Sequence, residues 1–329
     1  MSTPAKVWLA GARPRTFPAA VVPVVVGSAA GYLLSGHVSI DNRAVGHFGL
    51  SYSIVQHSLS IPKALLALVV ALGIQIGTNY VNDYADGERG TDEDRVGPPR
   101  LVASKLATAH EVKIAAAVAF GVAAVAGLIL ALTVTLWFIP LGLLCGVAGW
   151  AYTGGPRPYG YLGLGELFVF VFFGLVATAG TAYVQHAPFL ATYHGHLYTY
   201  KYDWWLALWC GVPIGLLAAA LLQANNLRDI ETDEQAGKKT LAVRLGRHNA
   251  GVFYALTFMA IALSIGILQH FRGYALIALL GLVLAIYPVR LALSDRMGRR
   301  LLPMLGATAR VQIAVGLLLS VGLLLVRPS

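Results

Sequence analysis

Nine stretches of about 20 mostly apolar residues follow one another along this chain, and an α-helix of that length spans a bilayer. Inside hydrocarbon, backbone polar groups must be bonded within the segment, so these stretches are predicted to be helices. The sequence therefore predicts an all-α, polytopic membrane protein with nine transmembrane helices and a single domain over residues 1–329. The stretches cover residues 17–35, 62–81, 113–132, 134–152, 164–184, 204–224, 250–269, 273–292 and 305–326.

The charged residues support this class of fold and predict its orientation. They make up 12% of the chain, about half the share in a soluble domain. The N-terminus and every second loop, with the helix ends beside them, hold 18 of the 24 Lys and Arg residues. Because positive side chains favour the cytoplasmic side, we expect a cell-membrane protein with a cytoplasmic N-terminus and an external C-terminus. This distribution explains the net charge of +9 without a nucleic acid partner.

Acidic residues are concentrated in two short segments. Of the 15 in the chain, six lie in 83–94 and four in 229–234, directly after the second and sixth apolar stretches. Asp83 and Asp86 are three residues apart and Asp229 and Asp233 are four apart, spacings that place each pair on one helix face. Mg²⁺ binds carboxylate, water and phosphate oxygens. Both segments are therefore predicted to hold divalent cations over one central cavity, although two solvated loops would also explain the acids.

Basic residues close to the second acidic segment could complete a diphosphate site. Arg228, Lys238 and Lys239 would donate charge-assisted hydrogen bonds to phosphate oxygens. Cytoplasmic anchoring of the helix ends would also place Lys and Arg residues here. The sequence therefore indicates an anion site without deciding which cation serves it.

Small residues inside the apolar stretches are interpreted as packing residues. Gly142 and Gly146 form a G-x-x-x-G pair, which favours close contact between two helices. Cys145 and Cys210 show neither metal-ligand spacing nor a disulfide framework. We therefore assign no chemistry to these positions.

The two acidic segments resemble the paired aspartate motifs of the UbiA family of intramembrane prenyltransferases. The resemblance covers nearly the whole chain, including the count of nine helices. Further segments are similar to the branch of that family that acts on 1,4-dihydroxy-2-naphthoate. The motifs that carry the resemblance are Asn82-Asp83-x-x-Asp86, Asp229-x-x-x-Asp233 with Lys239-Thr240, Ala12-Arg13-Pro14-Arg15-Thr16, Tyr152-Thr-Gly-Gly-Pro156, Tyr159-Gly-Tyr161 and Asn225-Asn226-x-Arg228-Asp229.

The resemblance implies an enzyme with nine helices around a central cavity. It would transfer a polyprenyl chain from polyprenyl diphosphate to 1,4-dihydroxy-2-naphthoate with loss of CO₂, giving demethylmenaquinone, and would use Mg²⁺. The implied roles are metal binding and catalysis for Asp83, Asp86, Asp229 and Asp233, orientation of these ligands for Asn82 and Asn226, diphosphate binding for Arg228, Lys238 and Lys239, contact with the prenyl cation or the acceptor for Tyr152, Tyr159 and Tyr161, and contact with the acceptor carboxylate for Arg15. The tyrosines would equally suit the membrane interface.

The chain departs from the family pattern at two positions. Gly90 stands where many members carry a third acid, and Asp92 follows two residues later. Pro156 stands where relatives often carry a lysine, and Arg157 comes next. A UbiA-type enzyme with another acceptor (hydroxybenzoate, homogentisate, chlorophyllide, haem or phosphoribosyl diphosphate) is an alternative. A secondary transporter is a second one, although it explains less well why both acidic segments lie on one side.

Overall fold

The protein is almost entirely helical in this computed structural model, which describes residues 5–34, 37–40, 53–56, 59–90, 100–185, 190–193, 196–199, 203–271 and 274–325. Two short antiparallel hairpins are the exception: β1 (His37–Ile40) pairs with β2 (Ser53–Gln56), and β3 (Leu190–Tyr193) pairs with β4 (His196–Thr199). The α-helices are α1 (Ala5–Ala12), α2 (Pro18–Leu34), α3 (Ile61–Glu88), α4 (Ala109–Thr133), α5 (Phe138–Ala151), α6 (Gly165–Val169), α7 (Ala177–Gln185), α8 (Trp204–Arg228), α9 (Ile230–Gln235), α10 (Leu241–Phe271), α11 (Ile286–Ala292) and α12 (Leu302–Leu324). Other helical turns are the 3₁₀ helices Pro14–Thr16, Tyr159–Leu162, Ala275–Ala285 and Gly298–Leu301 and the π-helical stretch Phe170–Val176, which joins α6 to α7.

Each of the nine predicted stretches is mostly helical within its described residues, but the helices differ in length. Within the described residues, seven helical segments are long and apolar enough to cross a membrane, and an eighth counts if α1 with its 3₁₀ turn and α2, bent by 56°, form one span. Helix α5 has 14 residues, because Val134, Thr135 and Leu136 form the turn that separates it from α4. The predicted count of nine is therefore approximate.

The ends of several helices follow from local sequence. Helix α4 begins with a capping box, in which the Thr108 hydroxyl accepts from Glu111 N at 3.2 Å and Glu111 Oε2 accepts from Thr108 N at 2.8 Å. Helix α8 is capped by Asp203, whose carboxylate accepts from Leu206 N at 3.0 Å. These caps fix the first residues of α4 and α8.

Helix α8 forms the centre of the bundle, and α4 lies at its edge. Within the most apolar window of each helix, 67% of the residues are buried in α8 but 28% in α4. Helix α4 exposes Val118, Val122, Val125 and Leu132, side chains suited to lipid. The acidic segment that follows α8 is therefore held by the best-packed element of the protein.

Close helix packing occurs at a different glycine pair from the one predicted. A Cβ added to Gly174, in the π-helical stretch, would lie 2.3 Å from Gly215 Cα in α8, so the two backbones touch. A Cβ added to Gly142 or Gly146 would meet no atom within 4 Å. The prediction of close packing at the G-x-x-x-G pair is wrong, since Gly142 faces the central cavity instead of another helix.

We expect Gly174→Ala to lower the melting temperature of the detergent-solubilised protein. The two backbones would have to separate, and overpacking of this kind costs about 1–3 kcal/mol. Gly121→Ala in α4 is the matched control, because its Cβ would point into open space and alanine favours a helix over glycine by about 1 kcal/mol. Equal melting temperatures for the two variants would contradict the close contact.

Candidate active site

One cavity of about 290 Å³ lies among helices α2 to α8, and most of the predicted site residues line it. Its polar end lies where α3 and α8 deliver the two acidic segments, and its opposite part is walled by apolar side chains. At the polar end lie Asn82, Asp86, Arg100, Asn225, Asn226, Asp229, Asp233 and Lys238, and the apolar walls include Val24, Ala67, Val70, Leu130, Leu141, Phe172, Phe173 and Val184.

Asp86 connects the two acidic segments. Its Oδ1 accepts from the Tyr161 hydroxyl at 2.6 Å, and its Oδ2 accepts from Lys238 Nζ at 3.0 Å. The Lys238 ammonium also lies 5.0 Å from the centre of the Tyr161 ring. Asp86 is 3% exposed and Lys238 is 8% exposed. A carboxylate from α3 is thus paired with a lysine from the segment after α9, a contact across 152 residues.

Asp83 points elsewhere, although it shares the motif with Asp86. Its two oxygens accept from Leu101 N at 2.9 Å and from Val102 N at 3.0 Å, and the residue is 1% exposed. Asp83 is not among the described residues that line the cavity. The structure therefore gives this carboxylate an anchoring contact with the turn that precedes α4.

The second acidic segment places both of its predicted ligands at the cavity. Asp229 is buried and accepts from Arg228 through two contacts, Nε to Oδ1 and Nη2 to Oδ2, each 2.6 Å. Asp233 lies one helical turn later, because its N–H donates to Asp229 O at 2.8 Å. Its carbonyl accepts from Lys238 N at 2.8 Å, which fixes the backbone that carries the buried lysine. Arg228 is itself buried against Asp229 and does not line the cavity.

The loop between α5 and α6, residues 152–164, covers the polar end. The Thr153 hydroxyl donates a short hydrogen bond to Asn82 Oδ1, and Arg89 donates to Thr153 O and Gly155 O. Lys239 N donates to Tyr161 O at 3.0 Å. These contacts attach the loop to the C-terminal end of α3 and to the segment after α9, and they position the Tyr161 hydroxyl beside Asp86.

Aromatic rings continue from this loop into the cavity. Tyr152 and Tyr159 meet edge to face at 5.5 Å, Tyr159 stacks on Phe168 at 3.9 Å, and Phe168 stacks on Phe172 at 5.9 Å. Burial raises the pKa of the Tyr159 phenol well above its ordinary value, so the group stays neutral, and its hydroxyl donates to Ala148 O at 2.8 Å. These rings offer faces that stabilise positive charge in an otherwise apolar space.

Asn226 is oriented by a residue that was not among the predicted site residues. Its Nδ2 donates to Glu166 Oε1 at 2.9 Å. An amide nitrogen donates hydrogen bonds and an amide oxygen accepts them, so the contact with Glu166 uses the nitrogen. Asn226 lines the cavity, and its amide oxygen is therefore the atom available there. Glu166 follows Tyr161 by five residues, and an acidic residue near the start of an apolar stretch was the sequence signal that could have identified it.

Besides Arg228, two predicted cations and one alternative residue do not line the cavity. The side chains of Lys239 and Arg15 are exposed, as is that of Arg157, and Asp92 lies outside the described residues. Among the residues that the structure describes, the cations that line the cavity are Lys238, Arg100 and Arg13. The sequence alone could not show which basic residues face the cavity, because adjacent Lys and Arg residues have the same local preferences and differ only in the direction of their side chains.

The residues at the polar end fit Mg²⁺ in the way that this ion is usually held. Asp86, Asp229 and Asp233 all line the cavity, and Mg²⁺ typically takes one or two carboxylates together with substrate phosphates and water. No cluster of three acidic, His or Cys side chains suited to a metal occurs in the described ranges. The arrangement therefore suits an ion that arrives with a phosphate-bearing substrate.

Fold and site together define an intramembrane enzyme of helical-bundle type, with buried acids and cations at one end of an apolar, aromatic cavity. The UbiA prenyltransferase family matches residues 47–304. The chain belongs to this family.

Named relatives agree with that membership. The chain is 42% identical to a 1,4-dihydroxy-2-naphthoate octaprenyltransferase of Mycobacterium tuberculosis, with 92% of this chain and 91% of that protein covered. It is 32% identical to the protein of the same name from Escherichia coli, with 97% and 95% covered. Among solved structures, a UbiA homolog from Archaeoglobus fulgidus bound to DMAPP and Mg²⁺ has a TM-score of 0.56 at 14% identity, with 95% of this chain and 99% of that chain covered. At that identity the likeness is one of fold.

Proposed function

We propose that this protein transfers a polyprenyl group from polyprenyl diphosphate to 1,4-dihydroxy-2-naphthoate, as one membrane domain whose polar end faces the cytoplasm. The proposal rests on one observation: the polar end of an aromatic-lined cavity is lined by Asp86, Asp229, Asp233 and Lys238. Acids and cations suit a diphosphate with its metal, and the apolar remainder suits an isoprenoid. The names of the relatives support naphthoate as the acceptor.

Mg²⁺, when bound by Asp86, Asp229 and Asp233, would neutralise the diphosphate and the charge that develops as it leaves. In the structure two of these carboxylates are paired with cations of the protein: Lys238 pairs with Asp86 and Arg228 with Asp229. Lys238 lines the cavity, so it can donate to phosphate oxygens once Asp86 has another partner. Arg228 lies outside the cavity lining and holds Asp229 in position.

The bond changes balance without an external oxidant or base. The C–O bond between the prenyl group and diphosphate breaks, and its electron pair leaves with the diphosphate. The prenyl carbon, now cationic, lies beside the rings of Tyr152, Tyr159 and Phe168. The acceptor carbon that bears the carboxylate forms the new C–C bond, and CO₂ departs while its bonding pair restores the aromatic ring. The product is the reduced, hydroquinone form of demethylmenaquinone.

An assay that offers the candidate acceptors one at a time tests the proposal. Purified protein in detergent micelles receives Mg²⁺, one labelled polyprenyl diphosphate and each candidate acceptor in turn. We expect labelled product with the naphthoate, its loss on chelation of Mg²⁺, and its recovery when Mg²⁺ is restored. Labelled product with hydroxybenzoate or homogentisate, and none with the naphthoate, would overturn the acceptor assignment within the same family.

A further inference from the structure

The turn between α1 and α2 gives Arg13 an unusual backbone. Arg13 has φ 56° and ψ 69°, in the left-handed region that residues other than glycine rarely occupy. Pro14 follows and disfavours a right-handed helical conformation at the residue before it. The chain bends by 56° at this point. As a result the Arg13 side chain lines the cavity, while that of Arg15, two residues later, is exposed.

Polar residues of α3 hold this turn in place. Asn79 Nδ2 donates to Ala12 O at 2.9 Å and to the Thr16 hydroxyl at 3.1 Å, and Gln75 Nε2 donates to the same hydroxyl at 3.2 Å. The Thr16 hydroxyl in turn donates to Arg13 O at 2.9 Å. Two buried amides thus serve to hold the backbone on either side of one cavity-lining arginine, which is the arrangement expected of a binding residue.

Arg13 lies deeper in the cavity than the cations that pair with the acids. Its Nη2 donates to Asn79 O at 3.3 Å, and Asn79 precedes Asp86 by seven residues, which is about 10 Å along a helix. Lys238 contacts Asp86 directly. The cavity is therefore lined by a guanidinium at the level of Asn79 as well as by an ammonium at the level of Asp86.

A second polar group lies close to the level of Arg13. The Thr78 hydroxyl is buried, its residue lines the cavity, and it has no hydrogen-bond partner within the described part of the chain. A buried hydroxyl without a partner is unfavourable unless a ligand completes it. Together Arg13 and Thr78 suit a ligand that carries both an anion and a hydroxyl group.

We propose that Arg13 binds the carboxylate of the aromatic acceptor, with Thr78 receiving or donating a hydrogen bond at one of its hydroxyl groups. This assignment rests on the proposed function, since it presumes a carboxylated acceptor. An anion that enters an apolar cavity needs a charged partner, and a guanidinium offers a carboxylate two parallel donors. Arg13 would thereby select acceptors that carry a carboxylate and hold them close to the reacting prenyl carbon.

Arg13→Met tests this with two acceptors, 1,4-dihydroxy-2-naphthoate and the carboxyl-free 1,4-dihydroxynaphthalene. We expect KM for the naphthoate to rise about 30-fold or more, because a buried charge pair is lost. We also expect KM for the polyprenyl diphosphate and turnover of the carboxyl-free acceptor to stay within about twofold, and Arg13→Lys to recover part of the naphthoate affinity. Thermal stabilisation of the protein by the naphthoate alone, measured without Mg²⁺ or prenyl substrate, should be lost in Arg13→Met.

Arg15→Met is the matched comparison, since it removes an exposed arginine from the same turn. An unchanged naphthoate KM in Arg13→Met, or an equal loss with both acceptors, would overturn the assignment. So would a large rise in naphthoate KM for Arg15→Met alone. If the wild-type protein prefers another carboxylated acceptor, the proposed function fails, but Arg13→Met should still raise KM for that acceptor. If the wild-type protein uses only carboxyl-free acceptors, both proposals fail.

Discussion

Asp86→Asn is expected to reduce prenyl transfer per folded molecule by about 10³-fold, the scale on which removal of a key electrostatic group slows an enzyme. Asp86 lines the cavity and joins α3 to Lys238 and Tyr161. The asparagine keeps the shape of the side chain but removes its charge, so both the binding of Mg²⁺ and the position of Lys238 are affected. Steady-state kinetics in detergent micelles, with melting temperature measured in parallel, would show the effect.

Asp83→Asn is the matched variant, from the same motif and helix. Its carboxylate contacts Leu101 N and Val102 N and does not line the cavity within the described chain. Loss of one of these contacts costs about 1–3 kcal/mol, so we expect a lower melting temperature with activity per folded molecule within about tenfold of the wild type. A collapse of activity in Asp83→Asn equal to that in Asp86→Asn would contradict the direction of these two side chains.

Lys238→Met is expected to lower kcat/KM for the polyprenyl diphosphate by about 10²-fold or more, since a desolvated cation that meets developing charge is lost. Lys239→Met is expected to change it by less than about threefold. The two lysines are adjacent, but Lys238 is buried on Asp86 whereas the Lys239 side chain is exposed. The measurement is kcat/KM at saturating acceptor for both variants.

A direct binding experiment separates the role of Lys238 in diphosphate binding from a merely structural one. Lys238 pairs with a carboxylate that we assign to Mg²⁺, so its removal should weaken binding of a non-reactive prenyl diphosphate analogue while leaving Asp86 free for the metal. We therefore expect tighter Mg²⁺ binding without the analogue and weaker analogue binding with Mg²⁺ present. If Lys239→Met rather than Lys238→Met weakened analogue binding, the placement of the two lysines would be wrong.

The helical architecture was predictable from the sequence, apart from the exact number of spans. The predicted apolar stretches are mostly helical within the described residues, and the segments carrying Asp86 and Asp229 come together although they are far apart in sequence. Apolar length and the need to bond every backbone group within the membrane are local properties, and they are readable in any stretch of about 20 residues. The errors were local too: α5 is shorter than predicted, and the glycines that pack closely are Gly174 and Gly215 instead of Gly142 and Gly146.

The direction of individual side chains was not predictable. Helical spacing placed Asp83 with Asp86, yet the amides of residues 101 and 102 take Asp83 away from the cavity. The sequence did not decide between Lys238 and Lys239, and the resemblance assigned the acceptor carboxylate to Arg15. In the structure Lys238 and Arg13 line the cavity, whereas the side chains of Lys239 and Arg15 are exposed. Glu166 was not among the predicted site residues, because its contact with Asn226 spans 60 residues.

The sequence by itself therefore determined that this chain is a helical membrane protein with two acidic segments at helix ends, because hydropathy and charge act over short stretches of chain. Which acid, lysine or arginine faces the cavity was decided only by the tertiary structure. Neighbouring residues of the same type have the same local preferences, and they differ only in the distant groups that they meet. Lys238 meets Asp86, and the turn that carries Arg13 meets Gln75 and Asn79, through contacts that exist only after the helices have packed.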